Sequence, residues 1–395
     1  MHTGTATATV DPSLFLVNVT VILIFTKVSG IISKRLGMPS VLGQVLTGII
    51  FGPSLLGLLQ PDIFLDEVGQ IGVIFLMFLA GIDTEVKEIK SVGIQSLLIA
   101  VGGVLLPLLG GALIVFWLKH DLQKALFVGT ILTATSVSIT TQTLLELGKL
   151  KTPEGNAILA AAVIDDIIGL LLLALVAGTG KNTNICQLLG FVFIFFVIII
   201  LFGRFLFPRL IDLHQKYDIR EGRVTLAMAC CLFFAWLADH MGMATIIGAY
   251  VMGIFVGQTK IKRLVTERLQ IIAYSFFIPI FFMGIGALGD LHKLNINSIY
   301  LLIILVFLAI ITKIIGSMCG ALLGKFSLKS SLCIGLGMIP RGEVALIIIS
   351  LGLRRGIVDN DIFSSTLLLV LVSTLITPVL LAMVFKDPKL SEVKN

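Results

Sequence analysis

NAILAAAVIDDIIGLLLLALV (residues 156–176) is an apolar run with two adjacent carboxylates, Asp165 and Asp166, at its centre. A helix of about 20 residues crosses the roughly 30 Å hydrocarbon core of a bilayer, so the run reads as a membrane span. An ionised Asp at mid-bilayer costs roughly 2.5 to 3.5 kcal/mol on insertion scales, which confines such residues to polar cavities and to ion or proton paths. The run therefore points at once to a fold class, a helical membrane protein, and to a first candidate site.

The rest of the chain agrees. Of its 395 residues 57% are hydrophobic and 13% charged, with a mean hydropathy of +1.08, whereas soluble domains carry about 25% charged residues. The apolar runs are continuous rather than alternating, which argues against a β-barrel. Thirteen helical spans are predicted, at 13–32, 39–58, 69–82, 92–118, 124–147, 155–177, 185–207, 222–238, 243–257, 269–288, 296–324, 328–353 and 362–385. Residues 1–12 hold no Lys or Arg and the first span is longer than a signal-peptide core, so it is expected to be retained. The five cysteines lack CxxC spacing and the five histidines are never paired at metal-ligand spacing, so no redox role, metal centre or cofactor is expected.

The net charge of +6 acquires meaning from its placement. With the N-terminus outside, twenty basic residues, among them Lys34, Arg35, Lys149, Lys151 and Lys262, fall in inner loops and six in outer ones. This is the positive-inside asymmetry, so the C-terminus is cytoplasmic and the basic residues are an orientation signal, not a nucleic-acid surface. Thirteen spans divide as six, one and six, and the odd linker span turns the second unit over, giving inverted repeats. The fifth span of each unit has a poor helix interior: LTATSVSITTQT from Leu132 and GLGMIPRGE from Gly335. The first is rich in hydroxyls and β-branches, the second in Gly and Pro, and both are expected to unwind where a cavity accepts the freed backbone groups. Interrupted spans at matching positions are a sequence pointer to a transporter's binding site.

Three more charges lie deep in spans: Lys313 in LAIITKIIGS, and Arg341 and Glu343 in MIPRGEVALI. Lys27, near a span end, is expected to snorkel to the interface. Lys313 has no such route and needs an anion, for which Asp165 and Asp166 are the candidates. The two acids point about 100° apart on a helix, so one can pair with Lys313 while the other faces an ion cavity. Arg341 and Glu343 are read as a structural pair that steadies the broken span. The hydroxyls of Thr133, Thr135, Ser136, Ser138 and Thr140 are neutral oxygens suited to a monovalent cation.

These residues resemble the monovalent cation:proton antiporter-2 family, most of all its NapA-type and GerN-type Na⁺/H⁺ antiporters. The resemblance runs nearly the full length and is carried by FLMFLAGIDTEVKEIK from Phe75, TATSVSITTQTLLELGKL from Thr133, AAVIDDIIGLL from Ala161, GAYVMGIF from Gly248 and GMIPRGEVALI from Gly337. It implies an all-α polytopic fold of thirteen transmembrane helices, two inverted six-helix repeats joined by a linker helix, with two discontinuous helices crossing. It also implies a scaffold and dimerisation unit at 1–91 and 219–290, an ion-translocating core at 92–178 and 291–386, a linker at 179–218 and a cytoplasmic tail at 387–395. Carried over residue by residue, Asp166 is the main ion-binding carboxylate, Asp165 the partner of Lys313, Thr135 and Ser136 lie at the crossover, and Arg341 and Glu343 fall in the second broken helix. Kef-type relatives usually have Gln-Asp where this chain has Asp165-Asp166.

The leading reading is electrogenic, elevator-type exchange of Na⁺, or of Li⁺ or K⁺, for protons by a homodimer in the cell membrane. Kef-like K⁺/H⁺ antiport is the alternative. A cation channel would not set Lys313 beside its acids, and no TVGYG-like filter is present. An intramembrane aspartyl protease would need Tyr217-Asp218 and Gly289-Asp290, which fall in a basic loop and at a span end.

Overall fold

The computed structural model describes residues 12–59, 63–84, 93–176, 185–216, 221–288 and 296–385. The helices are α1 (Pro12–Arg35), α2 (Ser40–Phe51), α3 (Ile63–Asp83), α4 (Gly93–Lys119), α5 (Leu122–Thr133), α6 (Val137–Glu146), α7 (Pro153–Val176), α8 (Ile185–Leu201), α9 (Phe207–Lys216), α10 (Gly222–His240), α11 (Thr245–Gly257), α12 (Lys262–Ile272), α13 (Ile278–Ala287), α14 (Ile296–Leu323), α15 (Leu328–Gly337), α16 (Glu343–Arg354) and α17 (Asn360–Phe385). Among the described residues, ten helical runs are long and apolar enough to cross a membrane, with shorter apolar helices at α2, α11, α15 and Val344–Leu353. The chain is an all-helical polytopic membrane protein.

Four boundaries differ by six or more residues from the pattern-based expectation. Helix α2 ends at Phe51 rather than at residue 58, where Gly52 turns extended ahead of Pro53. Helix α3 begins at Ile63 rather than at residue 69, because Asp66 in its first turn complements the helix dipole. Helix α12 begins at Lys262 rather than at 269: its charged turn is still amphipathic, with Val265 and Leu269 buried beneath exposed Arg263. The run begun by α8 continues past 207 to Lys216. Pro208 and Pro279 each follow a π-helical turn, at Phe202–Leu206 and Ala273–Phe277. Proline has no N–H to give, and widening the preceding turn accommodates the lost bond. The second π turn also supplies a carbonyl, that of Tyr274, to the Lys27 ammonium at 2.9 Å, so Lys27 is anchored to protein rather than only reaching water.

Burial separates interior from periphery. Within Leu122–Glu146, the run of α5 and α6, 78% of the most apolar stretch is buried, whereas within Leu189–Leu213 the share is 17%. The broken helix therefore lies inside the bundle and α8 faces lipid with residues such as Phe193 and Ile194. Helix α3 packs on α11 and α13, and α2 on α1 and α13, while α14 packs on α4, α15 and α17, and α4 also on α5 and α7. Helix α6 touches members of both sets, α2 and α3 on one side and α7 and α17 on the other.

Lipid offers no hydrophobic drive between helices, so close packing rests on small residues. At the α4–α14 crossing, Gly102 and Gly316 bring backbone to backbone: a Cβ on Gly316 would sit 2.9 Å from the Gly102 carbonyl carbon. Gly316→Leu is expected to force α4 and α14 apart and to destabilise the protein by about 1 to 3 kcal/mol; a lowered thermal unfolding midpoint in detergent checks this.

Candidate functional site

The two breaks lie where the sequence places them, and they meet. Ala134 to Ser136 is extended between α5 and α6, and Met338 to Gly342 is unwound between α15 and α16. The Ser136 N–H donates to the Pro340 carbonyl at 2.6 Å, and the Thr140 hydroxyl donates to the Gly337 carbonyl at 2.6 Å. Gly342 is required at the contact, because a Cβ there would lie 2.5 Å from Ser136 Oγ. Backbone freed by one break thus finds its partner in the other, the condition for irregular chain at membrane depth.

Helix α17 holds the second break. Ser373 Oγ accepts the Arg341 N–H at 3.1 Å, and the Thr374 hydroxyl donates to the Arg341 carbonyl at 3.4 Å. Sequence reading did not single out these two hydroxyls; the available signal is an adjacent Ser-Thr pair in the middle of a hydrophobic span. The Arg341 side chain, fully buried, donates to the carbonyls of Ile339 (3.0 Å), Met338 (3.4 Å) and Ala309 (3.3 Å). Its described partners are thus the frayed end of α15 and a neighbouring helix. The Glu343 side chain lies outside the described residues, and so does the expected Arg341–Glu343 pairing. Asp218 and Asp290 lie outside them as well.

The adjacent carboxylates have separate surroundings. Lys313, fully buried on α14, donates to Asp165 Oδ2 at 3.0 Å and to the Thr133 carbonyl at 2.6 Å. The Thr135 hydroxyl donates to the same Asp165 oxygen. Asp165 is therefore clamped between a helix and a break. Asp166 lines a cavity of about 450 Å³, shared with Asp66, Gln70, Thr245, Phe281 and Gly342. The rotation of about 100° between neighbours on a helix accounts for this division. The other hydroxyl candidates are dispersed: Ser136 Oγ lies 3.1 Å from Ser138 Oγ, and Thr133 bonds back to the Thr130 carbonyl at 2.7 Å. The structure thus gathers Asp165, Lys313 and Thr135 into one cluster, and sets Ser136 against Gly342 at the cavity's inner limit.

Residues 20–387 match the family model described as sodium/hydrogen exchanger, transmembrane. The chain belongs to the sodium/hydrogen exchanger family. Within it, the chain is 39% identical over 374 residues to the Na⁺/H⁺-K⁺ antiporter GerN of Bacillus cereus, covering 94% of this chain and 96% of that protein. It is 37% identical over 375 residues to the Na⁺/H⁺ antiporter of Enterococcus hirae, covering 91% and 95%. Among solved structures, the sodium proton antiporter MjNhaP1 of Methanocaldococcus jannaschii superposes with a TM-score of 0.76 at 17% identity, over 98% of this exchanger and all of that chain. That likeness is one of fold.

Removing one partner of a buried ion pair costs about 3 to 5 kcal/mol, because the other charge stays behind without compensation. Lys313→Ala in this exchanger is expected to lose stability of that order, and adding Asp165→Asn to restore most of it. Thermal unfolding of both single variants and the double variant in detergent measures the coupling.

Proposed function

We propose that the chain is a secondary antiporter that exchanges a monovalent cation, Na⁺ first, for protons across the cell membrane by elevator-type alternating access. The observation that carries this reading is the division of labour at the acid pair. One buried carboxylate, Asp166, borders the cavity, and the other, Asp165, is held by Lys313 and Thr135 beside two crossing broken helices. Asp166 is the cation ligand, with Ser136 at the crossing. Asp165, Thr135 and Lys313 form the proton-linked partner site, and Arg341 steadies the second break. The relatives are antiporters rather than enzymes, and GerN's name joins K⁺ to Na⁺. K⁺/H⁺ exchange is accordingly the second reading.

In this reading the chain has thirteen spans in two inverted six-helix units, the N-terminus outside, the C-terminus cytoplasmic, and works as a homodimer. Segments 1–91 and 219–290 form the scaffold, and 92–178 and 291–386 the moving core. The cavity is bordered by the N-terminal part of α3, the C-terminal end of α10 and the start of α11, so it opens to the outside.

Charge counting makes the exchange electrogenic. With Asp165, Asp166, Glu343, Lys313 and Arg341 ionised, the core bears one net negative charge, which one Na⁺ brings to zero and two protons bring to plus one. One charge per cycle is worth about 2.3 kcal/mol per 100 mV, enough to sustain an ion gradient of about 50-fold.

Proteoliposomes carrying the protein are expected to show Na⁺-driven proton flux that responds to membrane potential, and Asp166→Asn to abolish it. Flux indifferent to potential removes the electrogenic reading, and substantial exchange by Asp166→Asn moves the cation site elsewhere. Comparing Na⁺, Li⁺ and K⁺ in the same vesicles separates the two cation readings.

A further inference from the structure

The cavity that reaches Asp166 is open at one end of the bundle, and the opposite end carries a short, dense set of contacts that the transport reading leaves unused. Helix α2 begins at Ser40 behind Pro39, which offers no side-chain cap. The first turn of a helix has N–H groups without intrahelical partners and a partial positive charge. Here the cap comes from another helix, more than a hundred residues away. Glu146, the last residue of α6, accepts the Ser40 N–H on Oε2 at 2.6 Å and the Ser40 hydroxyl on Oε1 at 2.5 Å. Gln142, one turn earlier on α6, donates to Oε1 at 2.6 Å and aims the carboxylate. Beside this, Lys151 meets Asp83, the last residue of α3, at 3.3 Å. That bridge is largely exposed on the lysine side and worth little alone.

The position of Glu146 gives the contact its consequence. Helix α6 starts at the crossing, directly after Ser136, and ends at Glu146, about 15 Å away at 1.5 Å per residue. One rigid helix therefore connects the broken-helix crossing to the α2 cap. Helix α2 itself packs on α1 and α13, and α13 borders the cavity. Any displacement that carries the crossing past α2 and α3 must pull the Glu146 carboxylate off Ser40.

We propose that Glu146 is a positioning residue of the transport cycle, a latch that caps α2 from α6 and holds the protein closed on the side opposite the Asp166 cavity. The proposal rests on the alternating-access reading. Glu146 need not touch the transported ion; it sets the ratio of the two access states. A charge-assisted cap made only in one state biases the equilibrium toward that state, and a ligand reaching only the other state meets a correspondingly lower apparent affinity.

The test uses the full chain, as wild type, Glu146→Ala and Glu146→Gln, in two measurements. Hydrogen–deuterium exchange in detergent reads both ends of the bundle. Glu146→Ala is expected to raise exchange in 40–45 and to lower it at the remote cavity wall, 239–246 and 280–288. Glu146→Gln, which keeps one accepting oxygen, should lie between. In oriented proteoliposomes, Glu146→Ala should raise the apparent KM for Na⁺ on the cavity side and lower it on the latch side, each by about tenfold. Changes confined to 40–45 and 142–146, with the cavity wall and both KM values as in wild type, overturn the latch and leave Glu146 as an ordinary cap. If wild type itself exchanges no cation for protons, the transport reading falls. The exchange pattern at the cavity wall still decides the latch.

Discussion

An amide or carbonyl with no partner costs several kcal/mol inside a bilayer, and two spans of this protein give up regular hydrogen bonding at mid-depth. They survive because each break supplies what the other lacks. Ser136 N–H meets the Pro340 carbonyl, Thr140 meets the Gly337 carbonyl, and α17 serves Arg341 through Ser373 and Thr374. That exchange of partners sets the register between α6 and α15 and fixes where Gly342 must stand. Lys313 and Arg341 both donate to carbonyls at the two breaks.

The buried charges follow the same rule of mutual satisfaction. Lys313 is satisfied by a carboxylate and by the Thr133 carbonyl, a group that the first break leaves accessible. Arg341 takes carbonyls at the frayed end of α15, where the helix dipole is negative. The crossing therefore both requires these cations and orients them. With Asp165 so engaged, its neighbour Asp166 is turned toward the cavity, and the two acids hold different chemistry while adjacent in sequence.

The bundle is also unequal from end to end. A cavity lined by α3, α11, α13 and α16 reaches Asp166 from one side, while Glu146 joins α6 to α2 on the other. Helix α6 spans the distance between the two, from the crossing, where Ser136 meets Gly342 of the cavity wall, to the Glu146 contact.

How much was legible in the sequence depends on contrast. A charged residue, a Pro-Gly cluster or a run of hydroxyls stands out against apolar spans, so Asp165, Asp166, Lys313, Arg341 and both breaks were visible, and the positions of the helices with them. Nothing in the pattern around Pro208 and Pro279 announced the π turns that absorb them. The residues alone left open which acid Lys313 takes; the family resemblance named Asp165, and the rotation of two helices whose paired residues are 148 positions apart brings it there. Ser373, Thr374 and Glu146 look like ordinary hydroxyls and an ordinary helix-end acid until α17 and α2 are packed against their targets. Sequence by itself determined a helical membrane bundle, its two weak spans and its costly charges, because burial energies are paid residue by residue. Tertiary structure decided the geometry of the Lys313–Asp165 pair, the cavity and the Glu146 cap, because those depend on distances between helices remote in the chain.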